Sequence, residues 1–122
     1  MTKMLSGRHI LVVEDEMMVL FLIEGILEDL GCTSVATAAT VEQALAMIGT
    51  QTFDAAMLDS NLNGVRSDRV AEALDARGVP FFFSTGYSDL AKKEGYRERH
   101  VLKKPFQPEG VEASFRRVLS VA

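Results

Sequence analysis

Apolar β-type runs alternate with helical patterns from one end of this chain to the other, and that alternation restricts the fold more than any other feature. Residues 8–13, Arg-His-Ile-Leu-Val-Val, read as a strand whose continuous apolar tail implies burial on both faces. Residues 17–30 follow helical spacing and stop at Gly31, a residue suited to the position just past a helix end. Residues 33–37 are a short second strand. Thr40 and Gln43 make a capping box; Val41, Ala44, Leu45 and Ile48 follow on one face, and Gly49 is expected to close that helix. Residues 54–58 are a third strand. Val70, Ala73 and Leu74 mark a third helix that Gly78 closes, and residues 79–83 are a fourth strand. Residues 89–99 predict only a weak helix, polar and broken by Gly95. Val101-Leu102 is a fifth strand. Pro108 opens a last helix with Val111, Phe115, Val118 and Leu119 on one face.

Five such β-α units predict a parallel sheet with right-handed crossovers and helices on both faces. With 122 residues, the natural expectation is one α/β domain, a doubly wound, flavodoxin-like sheet of order 2-1-3-4-5, its core spanning about 8–121 and its first residues frayed. Half of a larger dinucleotide-binding domain is the alternative.

In open α/β sheets ligands bind outside the carboxyl ends of the strands. Strand one ends in Glu14-Asp15, then Glu16. Strand three ends at Asp59, strand four in Ser84-Thr85-Gly86, and strand five in Lys103-Lys104-Pro105. These ends bring carboxylates, a hydroxyl and an ammonium to one mouth. Clustered carboxylates repel, so one takes a proton or a cation binds. Mg²⁺ favours oxygen ligands, typically one or two carboxylates plus phosphate oxygens. A lysine stabilises charge on a transferring phosphoryl group, and a carboxylate can be its nucleophilic acceptor. Taken singly, each feature has an ordinary reading: acids at a helix start, a turn aspartate, a solvated Lys-Pro loop. Four strand ends together are much harder to obtain by chance.

Leu11-Val12-Val13-Glu14-Asp15-Glu16, Leu58-Asp59, Phe83-Ser84-Thr85-Gly86-Tyr87 and Lys104-Pro105-Phe106 resemble the signature of response-regulator receiver domains, over essentially the whole chain. The resemblance implies Asp59 as phosphoacceptor, Asp15 as a direct Mg²⁺ ligand and Glu14 as one acting through water. It also implies a backbone carbonyl ligand from Asn61, Thr85 as switch hydroxyl and Lys104 as phosphate-binding lysine; Glu16 is not a ligand. Many receivers carry Met-Pro shortly after the acceptor, where this chain has Leu62-Asn63-Gly64, and an aromatic residue where it has Val101. These departures and the weak fourth helix are similar to the Phe-Ala-Thr-Gly-Tyr-type subgroup, found largely in alphaproteobacteria. Gly86 and Tyr87 then belong to the expected signalling loop.

On the first helix, Val19, Ile23, Ile26 and Leu30 are expected to face the sheet, leaving Met17, Met18 and Phe21 partly exposed beside the acid mouth. Such a patch suits a protein contact, and in the family this helix docks the donor. Scattered surface apolar residues are the plainer reading. His9 and His100 precede strands, so the donor histidine is expected from a partner: a histidine kinase or histidine phosphotransfer protein.

The net charge of −4, with basic residues dispersed, argues against nucleic acid as a partner. The longest apolar run, residues 17–23, is far short of the about 20 residues a membrane helix needs. The N-terminus lacks an apolar leader and the single cysteine, Cys32, suits a reducing compartment, so a cytoplasmic location is expected. A phosphatase would need an acid where Asn61 stands, and a nucleotide-binding module would need a glycine-rich phosphate loop. The expected function is therefore a Mg²⁺-dependent phosphoryl switch that is not an enzyme, with a phosphate sink or shuttle as the alternative.

Overall fold

The apolar runs become a five-stranded parallel sheet in the computed structural model, which describes residues 3–85, 101–105 and 107–120. In chain order the elements are β1 (His9–Val13), α1 (Met17–Asp29), β2 (Ser34–Ala38), α2 (Val41–Thr50) and β3 (Ala55–Asp59). There follow β4 (Asn61–Leu62), β5 (Val65–Arg66), α3 (Asp68–Ala76), β6 (Phe81–Thr85), β7 (Val101–Lys103) and α4 (Pro108–Leu119). The sheet order is β2-β1-β3-β6-β7, which is the expected 2-1-3-4-5 with an additional β4-β5 hairpin set aside.

Side chains alternate between the faces of a strand, and here both faces are apolar. Leu11, Val13, Leu58, Phe81 and Phe83 pack toward α2 and α3. Ile10, Val12, Met57 and Phe82 pack toward α1 and α4. Phe82 meets Phe115 of α4 edge-on, with ring centroids 4.9 Å apart. Burying residues on both sides explains why the strands read as unbroken apolar runs.

Two strands reach farther than their apolar residues indicate. β3 and β6 end at Asp59 and Thr85, not at Leu58 and Phe83, because pairing continues through polar positions: Asp59 registers with Ser84, and Thr85 with Lys103. Backbone pairing is indifferent to side-chain polarity, so both site residues occupy fixed last rungs rather than loose loops.

Thr40 caps α2 as expected, its Oγ1 accepting from Gln43 N at 3.1 Å, a contact worth about 1 kcal/mol. The reciprocal bond goes to the N–H of Ala39, 2.8 Å from Gln43 Oε1. Gly49 does not close α2; the helix continues to Thr50, whose hydroxyl donates to Ala46 O. Gly78 follows α3 with φ of 70°, the left-handed conformation that glycine adopts easily.

From residue 3 on, the N-terminal segment expected to be frayed is packed against the fold. Leu5 is fully buried in the α1/α4-side core, and its N–H donates to Leu30 O at 2.9 Å. The apolar residues at the end of α1 and Cys32 offer Leu5 a pocket, and that burial holds the segment. On α1, Ile23 and Ile26 are buried and Val19 and Leu30 are half-buried. Leu27, absent from the expected inner face, is also buried, and Leu22 is exposed. The expected weak helix at 89–99, with Gly86, Tyr87 and His100, lies outside the described residues.

Candidate phosphoryl and metal site

Parallel pairing puts β1, β3, β6 and β7 side by side with their carboxyl ends at one edge, so the residues closing these strands must meet. Glu14 and Asp15 follow β1, and Glu14 N donates to Ala38 O of β2 at 2.9 Å, which keeps Glu14 in line with the sheet. Lys104 follows β7, and its N–H donates to Thr85 O at 2.8 Å. The result is an open cleft of about 680 Å³ lined by Asp15, Asp59, Asn61, Thr85 and Lys104 together with Glu16, Ser60, Asn63 and Gly64.

Within it, one carboxylate oxygen each of Glu14, Asp15 and Asp59 lies within 4.8 Å of the others. Lys104 Nζ sits 3.0 Å from Glu14 Oε1 and 3.1 Å from Asp59 Oδ2, with Glu16 Oε1 at 3.8 Å. Glu14 is only 1% exposed. Burial, and then the charge of Asp59, push its carboxyl up to about 7. Asp59 is also shifted upward by burial, against the pull of Lys104. Burial alone would lower the Lys104 ammonium, but Asp59 and Glu14 outweigh it and hold it protonated.

Three carboxyl groups share one ammonium, so the cluster carries more acid than Lys104 can neutralise. Glu14 Oε1 is buried and lacks a directed hydrogen bond despite its ion pair with Lys104. A compact set of hard oxygen donors with that excess of acid and an underused acceptor fits a divalent cation such as Mg²⁺.

The six sequence-predicted residues Glu14, Asp15, Asp59, Asn61, Thr85 and Lys104 are thus brought together. Met17, Met18 and Phe21 lie on α1 directly after the acids and are exposed, Met18 by 80%, with Leu22 completing the patch. Sequence reasoning missed the wall formed by Asn63 and Gly64. They are the turn of the β4-β5 hairpin, where Leu62 pairs with Val65 and both turn residues have positive φ, 56° and 89°. Asn-Gly between strands is the strongest short hairpin signal, and it stands in the sequence.

A family model for the response regulator receiver domain matches residues 10–116. Comparison with curated proteins gives no match. Among solved structures, the solution structure of SdrG from Sphingomonas melonis Fr1 is 45% identical with a TM-score of 0.82, covering 92% of this chain and 96% of that one. The BeF3-activated conformation of SdrG from Pseudomonas melonis Fr1 is 44% identical with a TM-score of 0.80, covering 95% and 99%. The receiver domain of the sensor histidine kinase PA1611 from Pseudomonas aeruginosa PAO1 has a magnesium ion coordinated in its active site cleft. It is 26% identical with a TM-score of 0.78, covering 93% and 98%.

Proposed function

Because the chain belongs to the response regulator receiver domain family, we propose that it is a phosphoryl switch that takes phosphate on Asp59 from a phosphohistidine. The donor is a histidine kinase or a histidine phosphotransfer protein, and the surface altered by phosphate binds a protein target. The observation that carries this reading is the Lys104 ammonium shared between Glu14 and Asp59 in an acid-lined cleft.

In the transfer, an Asp59 carboxylate oxygen attacks phosphorus. The new O–P bond forms as the N–P bond breaks, and its electron pair returns to the imidazole of the donor. Mg²⁺ would be held by Asp15, Asp59 and the Asn61 carbonyl, with Glu14 acting through water, and supplies charge neutralisation for the phosphoryl oxygens. Lys104 is preplaced: a short shift of Nζ from Asp59 Oδ2 carries its charge to the phosphoryl group. Thr85, on the last rung of β6, has a hydroxyl able to donate to a phosphoryl oxygen. The chain takes part only in its own phosphorylation and dephosphorylation. The exposed apolar residues Met17, Met18 and Phe21 next to the cleft are the docking surface for the donor.

Incubation with acetyl phosphate, or with a phosphorylated histidine phosphotransfer protein, tests the reading by intact mass. One phosphoryl group should appear with Mg²⁺ and none after chelation. No transfer from either donor would overturn it.

A further inference from the structure

Two thioethers stand beside the cleft, and they are the most exposed of the described methionines. Met18 is 80% exposed and Met17 64%. Met4 and Met47 are half-buried against the two cores, and Met57 is buried inside one. The order of solvent contact is the order in which a dissolved oxidant should reach these sulfurs.

Their place on α1 is as particular as their exposure. They are its first two residues, directly after Glu16. Phe21 lies four residues after Met17 and three after Met18, and Leu22 lies four after Met18. Such spacings put side chains on one helix face, and all four are at least half exposed. Leu22 also borders a groove of about 280 Å³, together with Glu16, Val19, Lys104 and Pro105. Glu16 and Lys104 line the acid cleft as well. The apolar face therefore runs from the methionines to the edge of the phosphoryl site.

A thioether is apolar and adaptable, which suits a docking face. A sulfoxide carries a strong S–O dipole, and covering its oxygen without a hydrogen-bond donor costs binding free energy. With a hydroperoxide as oxidant, the sulfur lone pair attacks one peroxide oxygen and the O–O bond breaks. The proton of that oxygen goes to the departing hydroxide, which leaves as water when the oxidant is hydrogen peroxide. Sulfur is oxidised by two electrons and the peroxide is reduced by two.

We propose that Met17 and Met18 are an oxidation site within the donor-docking face, where conversion to sulfoxides by a hydroperoxide slows phosphoryl transfer from the histidine protein. This rests on the proposed function, and on α1 as its docking surface. Neither methionine lines the cleft, so a small donor that needs no docked partner should load Asp59 as before.

The test treats the protein alone with hydrogen peroxide and removes the peroxide with catalase before any donor is added. Peptide mass mapping should find Met17 and Met18 oxidised ahead of Met4, Met47 and Met57. Transfer from a phosphorylated histidine phosphotransfer protein that serves the untreated chain should slow on the order of tenfold. Loading by acetyl phosphate with Mg²⁺ should be unchanged. A Met17→Leu, Met18→Leu double variant, whatever its own starting rate, should keep that rate after peroxide. Cys32 is present in both proteins, so its oxidation would slow the two alike. Met17 and Met18 oxidising no faster than Met57 would overturn the proposal. So would undiminished transfer once both are sulfoxides, equal slowing in the double variant, or equal slowing with acetyl phosphate. An untreated chain that takes phosphate from neither donor would strike the proposed function instead.

Discussion

Lys104 Nζ lies 3.1 Å from Asp59 Oδ2, and it also touches Glu14, the first of the acids that follow β1. The ammonium is mostly buried, so it compensates charges that water does not reach. Lys104→Ala removes that compensation and should destabilise the metal-free protein by about 3 kcal/mol at neutral pH. Mg²⁺ affinity should persist, because no oxygen ligand is lost, while phosphorylation is impaired. Asp15→Asn should do the reverse to metal affinity and weaken it strongly. Calorimetric Mg²⁺ titration of both variants checks the pair; loss of binding in a folded Lys104→Ala protein would contradict the assignment.

The acid cluster should make stability depend on pH. Glu14 titrates near 4.5 when unfolded and near 7 when folded, raised by burial and by Asp59. Between those values the folded chain holds a proton that the unfolded chain has released. Stability of the metal-free protein should therefore fall as pH rises from about 4.5 through about 7. Asp59 is shifted in the same direction. Mg²⁺ needs the deprotonated ligands, so it should raise the melting temperature more at about pH 8 than at about pH 5.5. Glu14→Gln should flatten the metal-free profile; an unchanged slope would remove Glu14 as its cause.

The fold was legible because the central strands β1, β3 and β6 are buried on both faces, so each of these stands out as an apolar run. Thr40 and Gln43 announced α2 for the same local reason: their side chains act within one turn. Less visible were features that depend on distant partners. The buried position of Leu5 is set by α1 and Cys32, not by its neighbours in sequence. The ion pair of Lys104 with Glu14 joins residues far apart in the chain, and only the parallel order of β1, β3, β6 and β7 makes it necessary. The hairpin is different, since its Asn63-Gly64 signal was present but lay between strands of two residues each, too short to show alternation.

The exposed start of α1 should matter for one donor and not another. Met17→Asp with Phe21→Asp changes side chains that are 64% and 60% exposed, so the fold should survive. Phosphorylation by acetyl phosphate should be unaffected, and transfer from a phosphorylated histidine protein should slow at least about tenfold. Equal slowing with both donors would place the damage in the cleft.

Ser67 precedes α3 without capping it; its hydroxyl is fully buried and has no hydrogen-bond partner among the described residues. An unsatisfied buried hydroxyl costs folding free energy, so Ser67→Ala should stabilise the protein by about 1 kcal/mol in urea unfolding. A loss of stability of that size would mean the hydroxyl has a partner.

Locating the phosphoryl group tests the account most directly. The protein is loaded with acetyl phosphate and Mg²⁺, the acyl phosphate is trapped by borohydride reduction, which converts a phosphorylated aspartate to homoserine, and the peptides are sequenced by mass spectrometry. The account predicts homoserine at position 59 alone, and no labelling of Asp59→Asn. Homoserine at Asp15, or phosphoryl transfer that persists in Asp59→Asn, would contradict it.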